Sequence, residues 1–579
     1  MSKSQYNTLC IAEWQSFGVE DIYHALKPCH LKQSEVSKNS ILCHTEGKAR
    51  SISAKDNRDI SLSLNMTENA SANVQNYLDI SASAKPQYDN MDSSVASSLK
   101  NNKSIESQND KELHDKAQKI FGELQDFANQ KGNFDDREGN HIFLTLYRNN
   151  RLKARNFVGL IQTKSGFCLE ILPKTFRTAK DSDGFAIKNC VCSSQKSTHP
   201  LTPSATNLTF GEGEQEKCQV CQAKQILLNM LRTLRSSPFK QSHISNLKIH
   251  RFPLLEVFAI MFLDEVERLI KRGIKSDYVV REENRTFLKG KLLFGENLKR
   301  NFAHKERFFT ANDEFIADIA PNRLIVSTIL FLSAQGFSPR TSGRISQARF
   351  IFADIPPSKS IDKDFALCHS SRHYKDYELL LAWCEIFLRC KSFIPYQGGN
   401  KAFALLFDMN KLFESFVAWY LKRACGGKCV ISAQESCKYL LEVGGARKFQ
   451  IKPDIVCRKS DSGGNNVVFI ADTKWKILES SESKTYGIAQ SDLYQMFAYL
   501  AKYECENGFL IYPQIEEIKA RENEDTKAMR DFTHQHFTYK PKSNLPSQNP
   551  HKLKIYFFNL HNPSEAANEI LAQTNPKSL

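Results

Sequence analysis

The sequence predicts a multidomain α/β (α+β) chain whose chemistry lies in its C-terminal third. Three observations predict this. Apolar segments of strand character alternate with amphipathic helical segments in two separate stretches of the chain. Polar stretches with few large apolar residues interrupt these blocks. One segment, Val467–Trp475 (VVFIADTKW), is an apolar run that ends in an acid and a lysine.

At ~150 residues per domain, a chain of 579 residues holds two to four domains. The net charge is +15 and the pI about 9.0, which points to a polyanionic partner. Hydrophobic residues make up 41% and aromatics 11%, enough to build cores, so a wholly disordered chain is excluded. Mean hydropathy is −0.44, as in soluble proteins. No apolar run reaches the ~18 residues that a membrane helix needs. The best candidates, Leu254–Leu263 and Tyr377–Leu388, are broken by Glu256, Glu378 and Glu385. Met1–Glu13 has no basic segment followed by an apolar one, so no secretory signal is expected. The 16 cysteines are then expected as reduced thiols in the cytoplasm. No G-x-x-x-x-G-K-[ST] occurs, so the chain carries no P-loop.

Residues 1–31 have the apolar density of a folded element, seen in Tyr6–Leu26. Residues 32–110, rich in Ser, Asn, Lys and Asp, are expected to form a flexible insertion, because they cannot bury enough surface to offset their ordering entropy. Residues 111–178 read as a small β-rich domain. A helix is expected at His114–Gln130, then strands at His141–Tyr147, Phe157–Gln162 and Phe167–Leu172. Arg148, Arg151, Lys153 and Arg155 make it basic, either as a solvated loop or as a contact for nucleic acid or a partner. Residues 179–221 form a second polar insertion.

Residues 222–400 are expected to be mainly helical, with helices at Leu254–Ile270 and Pro321–Leu332. Between them, Arg281, Arg285, Lys289, Lys291, Lys299, Arg300, Lys305 and Arg307 alternate with Phe287, Phe294, Phe302, Phe308 and Phe309. Such a pattern can cradle a phosphate backbone. The phenylalanines are expected in a core, and some of the basic residues on a binding surface.

Residues 401–579 carry the chemistry. A helix at Asp408–Arg423 places Glu414 on the edge of its buried stripe. A strand is expected at Lys448–Lys459, containing Lys452-Pro453-Asp454, then a turn at Ser460–Asn466. Val467–Ala471 is apolar without alternation, as in a strand buried on both faces. Side chains alternate along a strand, so Asp472 and Lys474 share a face. If the two strands pair as a hairpin, Asp454 joins them. Two desolvated carboxylates demand a cation, and their oxygens with the Thr473 carbonyl suit Mg²⁺. A further helix, Ser491–Tyr503, puts Gln495 and Tyr499 on one face.

The pattern P-D-x₁₇-D-x-K resembles the PD-(D/E)xK nucleases, and Q-x-x-x-Y occurs in their RecB-like branch. The region 401–579 is therefore expected to be a restriction-endonuclease-like domain. The resemblance extends further. FVGLIQ (Phe157–Gln162), LEILPKT (Leu169–Thr175), REENRTFLKGKLLFGENLKRN (Arg281–Asn301), DEFIADIAPNRLI (Asp313–Ile325), MNKLFESFVAWYL (Met409–Leu421), FIADTKW (Phe469–Trp475), SDLYQMFAYL (Ser491–Leu500) and GFLIYP (Gly508–Pro513) together resemble McrC. McrC is the nuclease subunit of McrBC-type restriction systems. The resemblance implies an endonuclease acting on double-stranded DNA with 5-methylcytosine. It also implies an McrB-like AAA+ GTPase hexamer that binds the GTP, and docking on that ring, with stimulation of its GTP hydrolysis, through the region upstream of the nuclease. In that setting Asp454 and Asp472 hold Mg²⁺, and Lys474 orients or activates the attacking water. Gln495 and Tyr499 position the phosphate or the lysine, and Glu414 acts as an outer-shell or second-metal acid.

Two further possibilities stay open. Cys190-x-Cys192 and Cys218-x-x-Cys221 have spacings that could hold a structural Zn²⁺, or they are unpaired thiols of a polar loop. The remaining cysteines show no such pairing. The chain could also be a stand-alone nuclease on other DNA or RNA, or a non-catalytic GTPase-activating scaffold. The intact acid–acid–lysine set argues against the scaffold.

Overall fold

The computed structural model describes residues 8–27, 93–130, 133–135, 140–175, 219–234, 238–241, 252–370, 372–389, 403–460, 466–478, 487–514, 537–539 and 551–574. Two compact units divide the chain: Leu26–Gln118, and Met1–Ala25 with Lys119–Leu579. Within the smaller unit, Lys27 pairs with Asp110 at 3.3 Å. The expected flexible insertion does not run to Asp110, because a helix begins at Ser93 and continues to Ala128. Its stretch from Ser93 to Phe121 contains no Gly or Pro, so nothing stops the turns from propagating back from the anchored end.

The larger unit opens with a four-stranded sheet. Its order is Thr8–Ala12, Cys168–Leu172, Phe157–Gln162, Phe403–Asp408. Phe157–Gln162 and Cys168–Leu172 form a hairpin closed by Thr163, whose N–H donates to the Phe167 carbonyl at 2.9 Å. Thr8–Ala12 lies parallel to Cys168–Leu172, and Phe403–Asp408 antiparallel to Phe157–Gln162. The outer strands thus come from segments on either side of the helical region. Residues 111–178 therefore do not close a sheet of their own. Gly159 makes the second pairing possible. Its φ is +135°, and a Cβ there would lie 2.0 Å from the Leu405 carbonyl oxygen.

Arg151, Lys153 and Arg155 of the basic cluster are turned onto the N-terminal element, while Arg148 is exposed. Arg151 pairs with Asp21 at 3.0 Å, and Lys153 and Arg155 lie over the Trp14 ring. Phe17 meets Phe121 edge to face.

Helices Gln219–Leu231, Leu254–Arg272, Ala320–Ser333, Pro339–Ile351 and Glu378–Arg389 build the largest core. Buried carboxylates fasten it. Glu170 pairs with Lys224 at 2.7 Å and accepts from Leu254 N–H, and Glu256 accepts from Thr341 Oγ1 at 2.6 Å. An arm interrupts the helices: Asp277–Arg285 pairs antiparallel with Phe308–Ile316, with Lys291–Leu292 beyond. The expectation that its phenylalanines are core fails for Phe287, Phe294 and Phe302, which are exposed, and holds for Phe309. The arm is a narrow ribbon with one short helix and has no interior to receive them. Most of its cations are already held by acids. Arg281, Arg285 and Lys289 pair with Glu314, and Lys299 and Arg300 with Glu296.

The C-terminal sheet has six strands. Their order is Cys429–Ala433, Ile455–Lys459, Val467–Thr473, Asn507–Gln514, His551–Asn559, Phe537–Tyr539. Helix Met409–Cys425 packs on it, with the Asp408 carboxylate accepting from Asn410 N–H at 2.9 Å as its N-cap. The expected strand Lys448–Lys459 is two strands in different sheets. Ala446–Ile451 pairs with Lys438–Val443 in a separate hairpin, and Ile455–Lys459 enters the main sheet. Pro453 between them has no N–H for a ladder, so the break falls there.

Removing the space at Gly159 tests the pairing of Phe157–Gln162 with Phe403–Asp408. Gly159→Ala is expected to lower unfolding stability by about 3 kcal/mol, measured by denaturant titration, because both φ and the approach of Leu405 oppose a Cβ.

Candidate active site

Strand Val467–Thr473 lies inside the six-stranded sheet, with a neighbour on each side. Its run VVFIA is buried throughout or nearly so, and Asp472 at its end is 2% exposed. The neighbouring antiparallel strand sets Ile455 opposite Ala471. The residue before Ile455 is therefore brought to the end of the buried strand. Thr473 donates to Asp454 Oδ2 twice, from its backbone N–H and from Oγ1, at 2.8 Å each. Lys474 returns to the same face as Asp472, with Nζ 2.8 Å from Asp472 Oδ2. That contact is an ion pair, and a carboxylate so placed still has lone pairs to offer a cation.

Helix Gln490–Tyr503 supplies the other side. Lys474 Nζ donates to Gln495 Oε1 at 3.1 Å and lies 3.5 Å from Asp492 Oδ1. Gln495 Nε2 donates to Tyr499 Oη at 2.7 Å, and Tyr499 Oη donates to the Lys452 carbonyl at 3.1 Å. A chain of contacts thus runs from the lysine to the residue beside Pro453. Asp492 was missed by sequence reasoning, although Asp492, Gln495 and Tyr499 fall at the i, i+3 and i+7 positions of one helix face.

Glu414 comes from helix Met409–Cys425 and is 8% exposed. Gln434 ties it to the rest. Its Nε2 donates to Glu414 Oε2 and its N–H to the Asp454 carbonyl, both at 2.8 Å. Gln434 adopts φ +50°, a left-handed backbone that turns the chain at this point. No local pattern marks such a residue in the sequence.

The structure thus brings together Glu414, Asp454, Asp472, Lys474, Gln495 and Tyr499. Electrostatics follow from their burial. Desolvation, then the Asp454 charge, pushes the Asp472 carboxyl up to about 6. Desolvation and the same neighbour push Glu414 up to about 7. Burial also raises Asp454, against the two Thr473 hydrogen bonds. Burial pulls the Lys474 ammonium down, but Asp472, Asp492 and Asp454 more than offset this and hold it protonated. Three acids with raised pKa values around one lysine are short of positive charge. A hard-oxygen donor set with that deficit fits a divalent cation such as Mg²⁺.

The cysteines fall differently from expectation. Cys190, Cys192 and Cys218 lie outside the described residues, and Cys221 is a buried residue of helix Gln219–Leu231. Cys425 and Cys429, expected as reduced thiols without a partner, form a disulfide instead, with Cα atoms 5.6 Å apart. Gly426 and Gly427, both at positive φ, turn the chain sharply enough to bring the two together. Cys457 lies beside them, all three sulfurs within 4.8 Å.

Sequence reasoning also missed Glu13, a fully buried carboxyl just after the first strand. It accepts from Trp475 Nε1 and from Lys174 N–H, and Lys174 Nζ donates to the Trp475 carbonyl at 3.3 Å. The N-terminal sheet therefore holds the residue next to Lys474.

The family model described as McrBC 5-methylcytosine restriction system component matches residues 152–513. The chain belongs to this family. The span that matches the McrBC family contains all six clustered residues, and leaves out Glu13 and the first strand. None of the curated proteins matches the chain. Among solved structures, the chain is similar to one in a refined half-complex from a tetradecameric assembly of Thermococcus gammatolerans McrB AAA+ hexamers with bound McrC. That match has 18% identity, covers 78% of this chain and 93% of the other, and has a TM-score of 0.49. It is also similar to a chain of the cryo-EM structure of the Thermococcus gammatolerans McrBC complex, with 20% identity, 52% and 77% coverage and a TM-score of 0.33. No described helix is long and apolar enough to cross a membrane.

Glu13 makes the link between the two sheets pH-dependent. Its carboxyl is raised by burial from 4.5 to about 7 in the fold. Its contribution to stability is complete below about 4.5 and is lost as pH rises through about 7. Glu13→Gln is expected to exceed the wild type by about 3 kcal/mol at alkaline pH, with the gain closing at acid pH. Denaturant unfolding across this range measures it, and a pH-independent difference would exclude the carboxyl as the cause.

Proposed function

We propose that this chain is the Mg²⁺-dependent endonuclease subunit of a GTP-driven restriction complex that cuts double-stranded DNA carrying 5-methylcytosine. The carrying observation is the charge-deficient cluster of Asp454, Asp472 and Glu414 around Lys474 at the end of a buried strand. Membership of the McrBC family supports the same reading.

In this reading Asp454 and Asp472, with the Thr473 carbonyl, hold Mg²⁺. The ion supplies Lewis acidity to a phosphoryl oxygen and to the leaving 3′-oxygen. Lys474 stays protonated beside its acids, so it serves by charge: it orients the attacking water and offsets negative charge on the phosphorane. Gln495 fixes the ammonium, and Tyr499 fixes Gln495. Glu414, raised to about 7, is an outer acid whose ionisation adds to the pull for a cation.

The nucleotide would be bound by the partner, an McrB-like AAA+ GTPase hexamer. The McrC of the Thermococcus complex is bound to such hexamers. The arm Asp277–Ile316 suits docking there. Tyr278, Val280 and Phe315 lie exposed on the paired strands, while its acids already neutralise most of its cations. The complex is expected in the cytoplasm, without membrane attachment.

Reconstitution with an McrB-like GTPase, methylated duplex DNA, Mg²⁺ and GTP tests the reading. Asp454→Asn, Asp472→Asn and Lys474→Ala are each expected to cut cleavage by about 10³-fold or more, leaving partner binding and stimulated GTP hydrolysis in place. Near wild-type cleavage by Asp472→Asn would remove this site. Tyr499→Phe is expected to lower kcat about tenfold with KM unchanged, because it loosens the lysine and not the DNA. The isolated chain is expected to be inert. Efficient double-strand cleavage without the GTPase would favour a stand-alone nuclease.

A further inference from the structure

The hairpin formed by Lys438–Val443 and Ala446–Ile451 belongs to neither large sheet. Both of its feet stand in the site. One foot follows Gln434, which donates to the Asp454 carbonyl and to Glu414. The other runs into Lys452, whose carbonyl accepts from Tyr499. The base is held firmly. Ile451 is buried in the cluster that contains Met496 and Tyr499, Gln450 donates to the Ser436 carbonyl, and Lys438 Nζ donates to the Lys502 carbonyl at 3.1 Å and lies over the Tyr503 ring. Beyond the base every residue from Leu440 to Gln450 is exposed, Phe449 at 69%. Gly444 and Gly445, at φ +59° and +77°, make the tip.

An exposed apolar ribbon needs an occupant, and the charges identify one. The exposed part carries Arg447 and Lys448 against Glu442, and Lys452 follows at the foot. Among the described residues, Arg447, Lys448 and Lys452 form no ion pair, though the Lys452 charge acts on Asp454 and Glu414, whereas most cations of the arm are held by Glu283, Glu296 and Glu314. Lys448 stands opposite Leu441 on one face and Arg447 opposite Glu442 on the other, so each face of the ribbon carries a cation toward one wall of a groove. Six-residue strands span roughly 20 Å, and a two-stranded ribbon is of a size that a DNA groove admits.

We propose that this hairpin is a duplex-DNA contact that holds the substrate against the cleavage site, with Arg447, Lys448 and Lys452 on phosphates and Leu441 and Phe449 against the groove wall. The proposal rests on reading the site as a DNA nuclease. It adds a substrate-binding element immediately upstream of Asp454, so that the strand pair that binds the duplex also fixes a catalytic acid.

The test uses the charge-reversed double variant Arg447→Glu/Lys448→Glu in the full complex with the GTPase. Duplex binding is measured by fluorescence anisotropy with Ca²⁺ in place of Mg²⁺, and cleavage is measured separately with Mg²⁺. The expected result is binding weakened at least tenfold, a salt slope of log K shallower by about 2, and a loss in cleavage that appears in KM. Phe449→Ala, which keeps both charges, is expected to weaken binding without changing the salt slope. Unchanged duplex affinity in both variants, while the wild type binds and cuts, overturns the proposal and leaves the nuclease reading standing. Altered self-association or GTPase binding with unchanged DNA affinity also overturns it, and assigns the hairpin to a protein interface. If the wild type binds duplex and never cuts, the nuclease reading fails, while a binding loss in the variants still supports the hairpin contact.

Discussion

The structure is organised around the cost of keeping two carboxylates out of water at the end of one strand. Asp472 is almost wholly buried, and Asp454 is drawn against it by two hydrogen bonds from Thr473. Burial raises both carboxyls, the Asp454 charge raises Asp472 further, and the Lys474 ammonium does not balance them. The surroundings are consequences of that constraint. Asp492, Gln495 and Tyr499 hold the lysine from one helix, and Gln434 bridges Glu414 to Asp454 from the other side. A sheet without a cation role would be expected to place apolar residues here, as it does at every position from Val468 to Ala471.

Much of this was legible because the signals are local. Val467–Thr473 announces itself by an apolar run too long for a half-exposed strand, and Asp472 and Lys474 share a face by alternation alone. Glu414 could be placed near the core edge from the helical period of its neighbours. The acids meet because adjacent strands pair antiparallel, which is the simplest outcome for segments joined by a short turn. What escaped was long-range or depended on a single bond angle. Nothing in TLCIA says that it pairs with CLEIL, and nothing in Glu13 says that it reaches Trp475. The left-handed turn at Gln434 is set by tertiary contacts. Pro453 was read as part of one strand, when its missing N–H separates two sheets. The exposed phenylalanines of the arm broke the rule that aromatics go inside, which is the rule a docking surface must break.

The chain carries two basic surfaces of opposite design. On the arm, carboxylates lie within reach of Arg281, Arg285, Lys289, Lys299 and Arg300, so the surface offers aromatic area and little net field. On the hairpin Arg447 and Lys448 form no ion pair among the described residues, although Arg447 stands opposite Glu442, and the Lys452 charge at the foot acts on Asp454 and Glu414. A net charge of +15 does not distinguish these cases. Ion-pair geometry does, because a cation already held by a carboxylate releases few counterions when a polyanion arrives.

The pairing of Thr8–Ala12 with Cys168–Leu172 also bears on how the chain is made. Cys10 and its partner Glu170 are 160 positions apart. At ribosomal rates of about 5–20 residues per second, the first strand waits roughly ten to thirty seconds for its mate. The opposite edge, Phe403–Asp408, arrives later still. During synthesis the nascent protein therefore trails an unsatisfied apolar ribbon that any neighbouring strand edge can capture. The sheet that braces the cleavage centre is completed only once Asp408 has been made, and the strands that position Asp454 and Asp472 follow it.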